Sequence, residues 1–453
     1  MFFQTQRRIS RNELIVKDLV NPLAPELDAP ARPLYLGHTA SYKPLGIVNG
    51  TLYLLTDRDA PNKKVVAVPL DRPDPSNWQT VVRETKDAIE SAQLIDGTVA
   101  VTRLVDVASD ACFHNLNGTV AGRITTPGLG SITGPFGRCG RPEIFYTFTS
   151  TLHPETVFGF DLASGDSIPF DPPTLTFDPA GYRTQRVFAV SRDGTRIPVF
   201  ITHDKGLQKD GAHPAMLYGF GGFGLSEAPQ FRPDVIAFLE RGGVYATASI
   251  RGGGEYGQSW HEAGMFEKKQ NVFDDFIAAA EYLVREGYAS PQTLGIMGGS
   301  NGGLLVGAVM EQRPDLFAVA LLGAAVLDML RFHRFTGGIV GTTEYGCADT
   351  ATEFGYLYRY SPLHNVVPGA CYPATLITTA DHDDRVVPSH SFKFAATLQA
   401  AQGCDKPVLI RVEKQASHAY RPTDKRIAEL ADGWAFALAN MQAQRPDIAA
   451  TAT

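Results

Sequence analysis

Two hydrophobic rhythms divide the chain. Up to about residue 180, apolar residues come in short β-rich bursts, each opened by a turn former or proline: Gly50–Leu54, Gly97–Val101 and Pro142–Tyr146. A second apolar run follows each at a similar offset, at Val65–Val68, Cys112–Leu116 and Thr156–Phe160, the last leading into the turn Asp161–Gly165. No stretch here keeps a 3.6-residue period over three turns. Short strands recurring every 45 residues or so match a four-stranded propeller blade. Residues 1–180 are therefore expected to form a partial β-propeller of about three blades; an irregular β domain is the alternative. Three blades do not close a ring, since propellers usually have about 4–8. Such a stack lacks upstream blades or protects its edges another way.

From about Gly181 the pattern changes. Val187–Val190 and Ile197–Ile201 flank Asp193-Gly194, a hairpin signal. Continuous apolar runs then alternate with helical patterns. The runs are Ala215–Tyr218, Val244–Ile250, Leu294–Met297, Phe317–Leu322, Ala374–Thr379 and Val408–Val412; the helices are Asp274–Glu286, Gly302–Glu311, Ser389–Ala401 and Thr423–Gln442. The last helix lines up Ile427, Leu430, Trp434, Leu438 and Met441, with Thr423 as candidate N-cap. This alternation predicts an α/β domain over residues 181–453, a doubly wound, mostly parallel sheet covered on both faces.

Composition narrows the function classes. Charged residues are 20% of the chain, the net charge is −7 and the pI is near 5.9. A mildly acidic surface argues against general nucleic-acid binding and against anionic membranes. The longest nearly apolar run, Leu316–Leu327, is too short to cross a bilayer, which needs about 20 residues. The five cysteines are scattered, with no CxxC pair, so neither a disulfide framework nor a zinc knuckle is expected. Met1–Asn12 has no apolar core of a signal peptide. These readings lead to a cytoplasmic protein, a monomer, with no metal or cofactor.

The chemistry is concentrated in the second half. Gly298-Gly299-Ser300-Asn301-Gly302 fits G-x-S-x-G between a strand and a helix, the setting in which this motif forms a nucleophile elbow. A serine hydroxyl is a weak nucleophile at neutral pH and needs a base with an orienting acid. In this architecture they follow in the order Ser, Asp, His. The acidic run Asp381-His382-Asp383-Asp384 follows the strand Ala374–Thr379, and His418 follows Val408–Val412. The expected roles are Ser300 as nucleophile, His418 as general base and then acid, and an aspartate holding the imidazole tautomer. The other histidines, His382 included, are read as surface or packing residues.

Five stretches carry a family resemblance: Leu217–Phe223, Ile250–Gly257, Gly298–Gly303, Tyr360–Asn365 and Asp381–Pro388. Together they resemble the prolyl oligopeptidase family of serine peptidases, strongly over Val187–Met441 and more weakly over the blades, which are similar to the last three of seven. The resemblance implies that Asp383 is the triad acid and that Arg385 binds a substrate backbone carbonyl; a structural salt bridge is the alternative for Arg385. It places Phe223, Val326, Tyr345 and Val386 in the pocket for the residue before the cleaved bond, which in the family is proline. Three positions depart from the pattern. Phe220 stands where the family has a tyrosine whose hydroxyl completes the oxyanion hole, leaving the Asn301 N–H and, as a substitute, a backbone N–H of Gly221 or Gly222. Gly341 stands where a tryptophan stacks on proline, and Gly337 replaces a bulky aliphatic residue. Phe335 or Tyr356 swinging in would restore the slot. The chain also lacks the family's opening segment and first blades. The implied function is hydrolysis of short peptides with relaxed or altered specificity. A catalytically weak fragment that binds peptides is the alternative, and an esterase a weaker one.

Overall fold

The structure is a computed structural model and describes residues 1–442 except 9, 10, 20, 22, 27, 139 and 142. Its chain divides into two compact units. The first comprises Met1–Ser150, Glu155–Thr174 and Glu255–Ser259; the second comprises Thr151–Pro154, Leu175–Gly254 and Trp260–Thr453.

The first unit is built of antiparallel sheets. Three are four-stranded: Tyr42–Val48 with Thr51–Thr56, Lys64–Pro69 and Gln79–Val82; Ile89–Ile95 with Thr98–Val105, Ala108–Asn115 and Val120–Arg123; and Ser131–Gly137 with Ile144–Thr149, Thr156–Phe160 and Ser167–Phe170. The bursts read from the sequence are the second and third strands of these blades, although Pro142 and Cys139 lie outside the described residues. Alternation explains the stacking, because successive side chains point to opposite faces of a strand. In Thr51–Thr56, Leu52 and Leu54 pack on one side with Leu14 and Tyr35, while Tyr53 and Leu55 pack on the other with Ile89, Val99 and Val101. Leu14 and Tyr35 belong to a further, three-stranded sheet, Phe2–Arg8, Arg11–Lys17 and Ala31–Ala40. The expectation of about three blades omits it. Arg11–Lys17 alternates buried and half-buried residues, so its polar positions interrupt the apolar run that marks the other blades.

The second unit holds an eight-stranded sheet. Its strands are β1 (Tyr182–Val190), β2 (Arg196–Asp204), β3 (Ala215–Tyr218), β4 (Val244–Ala248), β5 (Leu294–Gly299), β6 (Val319–Gly323), β7 (Ala374–Ala380) and β8 (Val408–Glu413), in the order β1-β2-β4-β3-β5-β6-β7-β8. The β1–β2 hairpin turns at Ser191–Thr195, and β2 runs antiparallel to β4. All later pairs are parallel. Helices α2 (Gln270–Arg285), α3 (Asn301–Gln312) and α4 (Ser389–Ala401) pack on one face, contributing Phe276, Leu304 and Phe394 to its core. Helices α1 (Pro233–Leu239) and α5 (Thr423–Asn440) cover the other with Val235, Trp434, Ala437 and Met441. Both faces are thus apolar, as the continuous strands anticipate. Two details of α5 differ from expectation. Ile427 is exposed rather than packed, and Pro422 is the N-cap, with Thr423 already inside the helix.

Cysteine usage needs correction. Cys371 and Cys404 form a disulfide with Cα atoms 5.2 Å apart. They precede β7 and β8, neighbouring parallel strands, so the crossover through α4 returns the chain to the same edge. A separation of 33 residues hides that proximity in a sequence scan for close pairs. A disulfide belongs with oxidising compartments and weakens the expectation of a cytoplasmic protein, since the cytosol keeps thiols reduced. Among the described residues, no helix is long and apolar enough to cross a membrane.

Candidate active site

Ser300 lies between the end of β5 and the start of α3, with φ 57° and ψ −117°, a region a residue with a Cβ rarely enters. Three small residues make room for the turn. A Cβ on Gly298 would meet the Gly302 carbonyl, one on Gly302 would lie 2.7 Å from the Gly219 carbonyl, and one on Gly303 would strike Ala325. The Ser300 N–H donates to Gly323 on β6 at 2.8 Å, which pins the turn to the sheet. Asn301 opens α3, where backbone N–H groups lack intrahelical partners. Among the described residues, no acceptor takes the Asn301 N–H.

The candidate acid and base come from the loops after β7 and β8. Asp383 is 3% exposed. Its Oδ2 lies 2.7 Å from His418 Nδ1, and its Oδ1 accepts from the backbone N–H groups of Arg385 at 3.1 Å and Val386 at 2.8 Å. Asp381 instead pairs with His382 at 2.7 Å; that hydrogen bond holds its carboxyl down at about 2. The structure therefore brings Asp383 and His418 together and leaves Asp381 and Asp384 apart from the imidazole. Ser300 Oγ makes no hydrogen bond among the described residues, so its link to His418 is not closed.

Of the residues expected in the pocket, Val326 and Tyr345 touch the same turn. The Val326 N–H reaches the Ser300 carbonyl at 3.4 Å. Phe223 and Tyr345 meet edge to face with centroids 5.6 Å apart, and Phe332 meets Tyr345 likewise at 5.4 Å. Val386 is buried behind Asp383. Arg385 is exposed, and its guanidinium forms no ion pair among the described residues. A Cβ on Gly341 would lie 3.0 Å from Phe332 and 3.2 Å from Tyr345, and one on Gly337 would lie 3.2 Å from the Arg385 Cα. Phe335 is engaged edge to face with His390, and the Tyr356 hydroxyl lies against Gly346. Neither is the ring that approaches Gly341.

Comparison with known proteins fits this arrangement. The profile of the prolyl oligopeptidase family matches residues 229–444, and that of the prolyl oligopeptidase N-terminal β-propeller domain matches residues 2–172. The chain belongs to the prolyl oligopeptidase family. It is 44% identical over 432 residues to a prolyl endopeptidase of Elizabethkingia meningoseptica, covering 95% of this chain and 60% of that one. A solved prolyl endopeptidase superposes with a TM-score of 0.92 at 37% identity, over 98% of this chain and 64% of that one. Prolyl oligopeptidase B of Galerina marginata, bound to a 35mer hydrolysis and macrocyclization substrate, gives 0.93 at 33% identity, over 98% and 64%. The chain thus spans about 60% of the length of curated relatives it matches. The fold is a β-propeller domain followed by an α/β-hydrolase domain.

Within this prolyl oligopeptidase-family site, the sequence reading passed over the Asn301 side chain. Its Nδ2 donates to the Phe220 carbonyl at 2.5 Å and its Oδ1 accepts from Tyr345 Oη at 2.8 Å. Burial and the nearby Glu344 carboxylate push the Tyr345 phenol well up, so it stays a donor. The amide therefore ties the loop before Phe223 to the pocket wall. The only available signal was an asparagine directly after the candidate nucleophile. As for metals, His333, Cys347 and Asp349 bring three donor atoms within 4.8 Å of one another. There the Arg334 guanidinium already takes Asp349 at 2.6 Å, which disfavours a second cation.

Proposed function

We propose that this chain is a serine peptidase that hydrolyses short peptides through Ser300, His418 and Asp383. The observation that carries the reading is the Asp383–His418 contact at 2.7 Å, with the second Asp383 oxygen fixed by two backbone N–H groups. An aspartate held in this way accepts a hydrogen bond from Nδ1–H, which keeps that proton on the ring and leaves Nε2 as the base. His418 takes the Ser300 proton as Oγ attacks the scissile carbonyl carbon. The resulting oxyanion meets the unpaired Asn301 N–H at the N-terminus of α3, where the helix dipole favours negative charge. Collapse expels the amine, protonated by His418, and water then releases the acyl group by the same route. Arg385 offers an unpaired guanidinium for a substrate carbonyl, and Phe223, Val326, Tyr345 and Val386 enclose the side chain before the cleaved bond. With Gly341 in place of a stacking indole, selectivity for proline is relaxed. The Ser300–His418 contact closes with substrate, since catalytic hydrogen bonds are often loose in an empty site.

A second reading, peptide binding with feeble turnover, is favoured by that same open contact and by Phe220, which supplies no hydroxyl. A fluorophosphonate probe separates the two, because it reacts only with an activated serine. Labelling of Ser300 in the parent, and its loss in Ser300→Ala and reduction by about 10³-fold or more in His418→Ala, is expected. An unlabelled parent that still binds peptides would establish the second reading.

A further inference from the structure

Three ionisable side chains are buried together beside the candidate site, and the mechanism above uses none of them. Lys269, at the start of α2, is 1% exposed, Glu344 is fully enclosed, and His261 is 5% exposed. They come from three separate segments. Lys269 Nζ donates to the Gly221 carbonyl at 2.9 Å and lies 3.5 Å from Glu344 Oε1. It also sits 5.3 Å from the centre of the Tyr345 ring. Glu344 Oε2 accepts from His261 Nε2 at 2.8 Å, and the Phe223 N–H also points to this carboxylate. Burial alone would raise the Glu344 carboxyl, but Lys269 and His261 outweigh it and hold it below the usual range, ionised.

The cluster grips one loop at two points. Gly221 has φ +63° and Phe223 has φ 60°, the latter a conformation that a residue with a side chain rarely adopts. A peptide unit is planar and trans, so its C=O and N–H point in opposite directions. Anchoring the Gly221 carbonyl on Lys269 therefore fixes where the Gly222 N–H points. Among the described residues, no acceptor takes that N–H. On its far side the loop meets the nucleophile helix, through Asn301 on the Phe220 carbonyl and Gly302 against Gly219. Stability alone does not call for such a pair, since well-packed apolar side chains often serve as well or better than a buried ion pair. What the charges add is direction.

We infer that Lys269 and Glu344, steadied by His261, are positioning residues that aim the Gly221–Phe223 backbone at the oxyanion side of Ser300 while setting the Phe223–Tyr345 pocket wall. This rests on the serine-peptidase reading above. With no phenol at Phe220, the second oxyanion donor has to come from this backbone, and its aim depends on the buried cation.

The test removes both charges together, in Lys269→Met/Glu344→Gln, so that neither is left unpaired. Hydrolysis of a chromogenic proline-containing peptide is compared with the rate of fluorophosphonate labelling. A folded double variant is expected to lose about 10–100-fold in kcat with KM within about threefold, and to label more slowly by a similar factor. A parent that neither hydrolyses nor labels would sink the serine-peptidase reading itself. A labelled parent with an equally fast, folded double variant would overturn only the positioning role, as would a rise in KM at unchanged kcat. Should the double variant not fold, His261→Leu serves instead. It is expected to lower kcat about 3–10-fold at unchanged KM, and parent-like kcat would overturn the inference.

Discussion

Phe220 and His390 show how single side chains set the limits of this site. Phe220 gives its carbonyl to Asn301 but has no donor to offer an oxyanion. A missing oxyanion donor typically costs about 10²–10³ in kcat, which a phenol at this position would restore. With the Gly222 N–H aimed at that place, Phe220→Tyr is expected to change kcat by less than about threefold at unchanged KM. Steady-state kinetics decide it, and a gain approaching about 100-fold would show that no backbone N–H fills the place. His390 acts on the pocket wall instead. Its Nδ1 accepts from the N–H groups of Leu327 at 3.3 Å and Asp328 at 3.0 Å, which requires an unprotonated nitrogen. Burial pulls its pKa down to about 4; the Lys393 ammonium adds to this, while Asp328 opposes it. An unfolded histidine takes up its proton near pH 6.5. Between those values the unfolded chain binds more protons, so stability is full above about pH 6.5 and falls by roughly 3 kcal/mol as the pH drops towards 4. The unfolding midpoint of His390→Asn should fall less steeply over that interval, and parallel curves would exclude His390 as the cause. The sequence singled out Ser300 and His418 as candidates from local context. The choice of Asp383 over Asp381 or Asp384 needed the family resemblance, because three carboxylates in four residues differ only in where the turn aims them.

At the scale of elements, the strands and helices around the site were readable because both faces of the sheet are buried and each strand is a continuous apolar run. The pocket segment was not. Phe332–Tyr345 folds into short helical turns whose packing depends on contacts distant in sequence, such as Gly337 against Arg385 and Phe223 against Tyr345. Phe335 and Tyr356, named as rings that would refill the space of a missing indole, are held elsewhere, and Phe332 is the ring nearest Gly341. Phe332 stands edge-on to Tyr345 at 88°, so the two rings pack against each other rather than lying as one flat wall like an indole. A proline ring thus loses stacking worth about 0.5–1.5 kcal/mol, while a larger apolar side chain gains about 25 cal/mol per Å² that it buries. Chromogenic peptides differing only in the residue before the cleaved bond should show phenylalanine or leucine within about 100-fold of proline in kcat/KM. A preference for proline beyond that, some 2.7 kcal/mol, would refute relaxed selectivity.

At the scale of the whole molecule, the hydrophobic cores respect the division of the chain. The clusters around Leu52, Val99 and Phe113 lie wholly in the propeller unit, and those around Leu304 and Met216 wholly in the hydrolase unit. A unit with its own core can unfold as its own cooperative block. The two hold about 175 and about 280 residues, so at about 0.7 kcal/mol per residue near 60 °C they should absorb roughly 120 and 200 kcal/mol. Two further handles tell them apart, and both lie in the larger unit. The Cys371–Cys404 bond closes a loop of 33 residues, worth roughly 3–4 kcal/mol by chain entropy. A covalent phosphonate on Ser300 stabilises the unit that carries that residue. Calorimetry should accordingly resolve two endotherms. A reducing agent should lower only the larger one, by roughly 6–8 °C at about 2 °C per kcal/mol, and the phosphonate adduct should raise only that same one. A single transition that moves as a whole with either treatment would show that the two cores unfold as one.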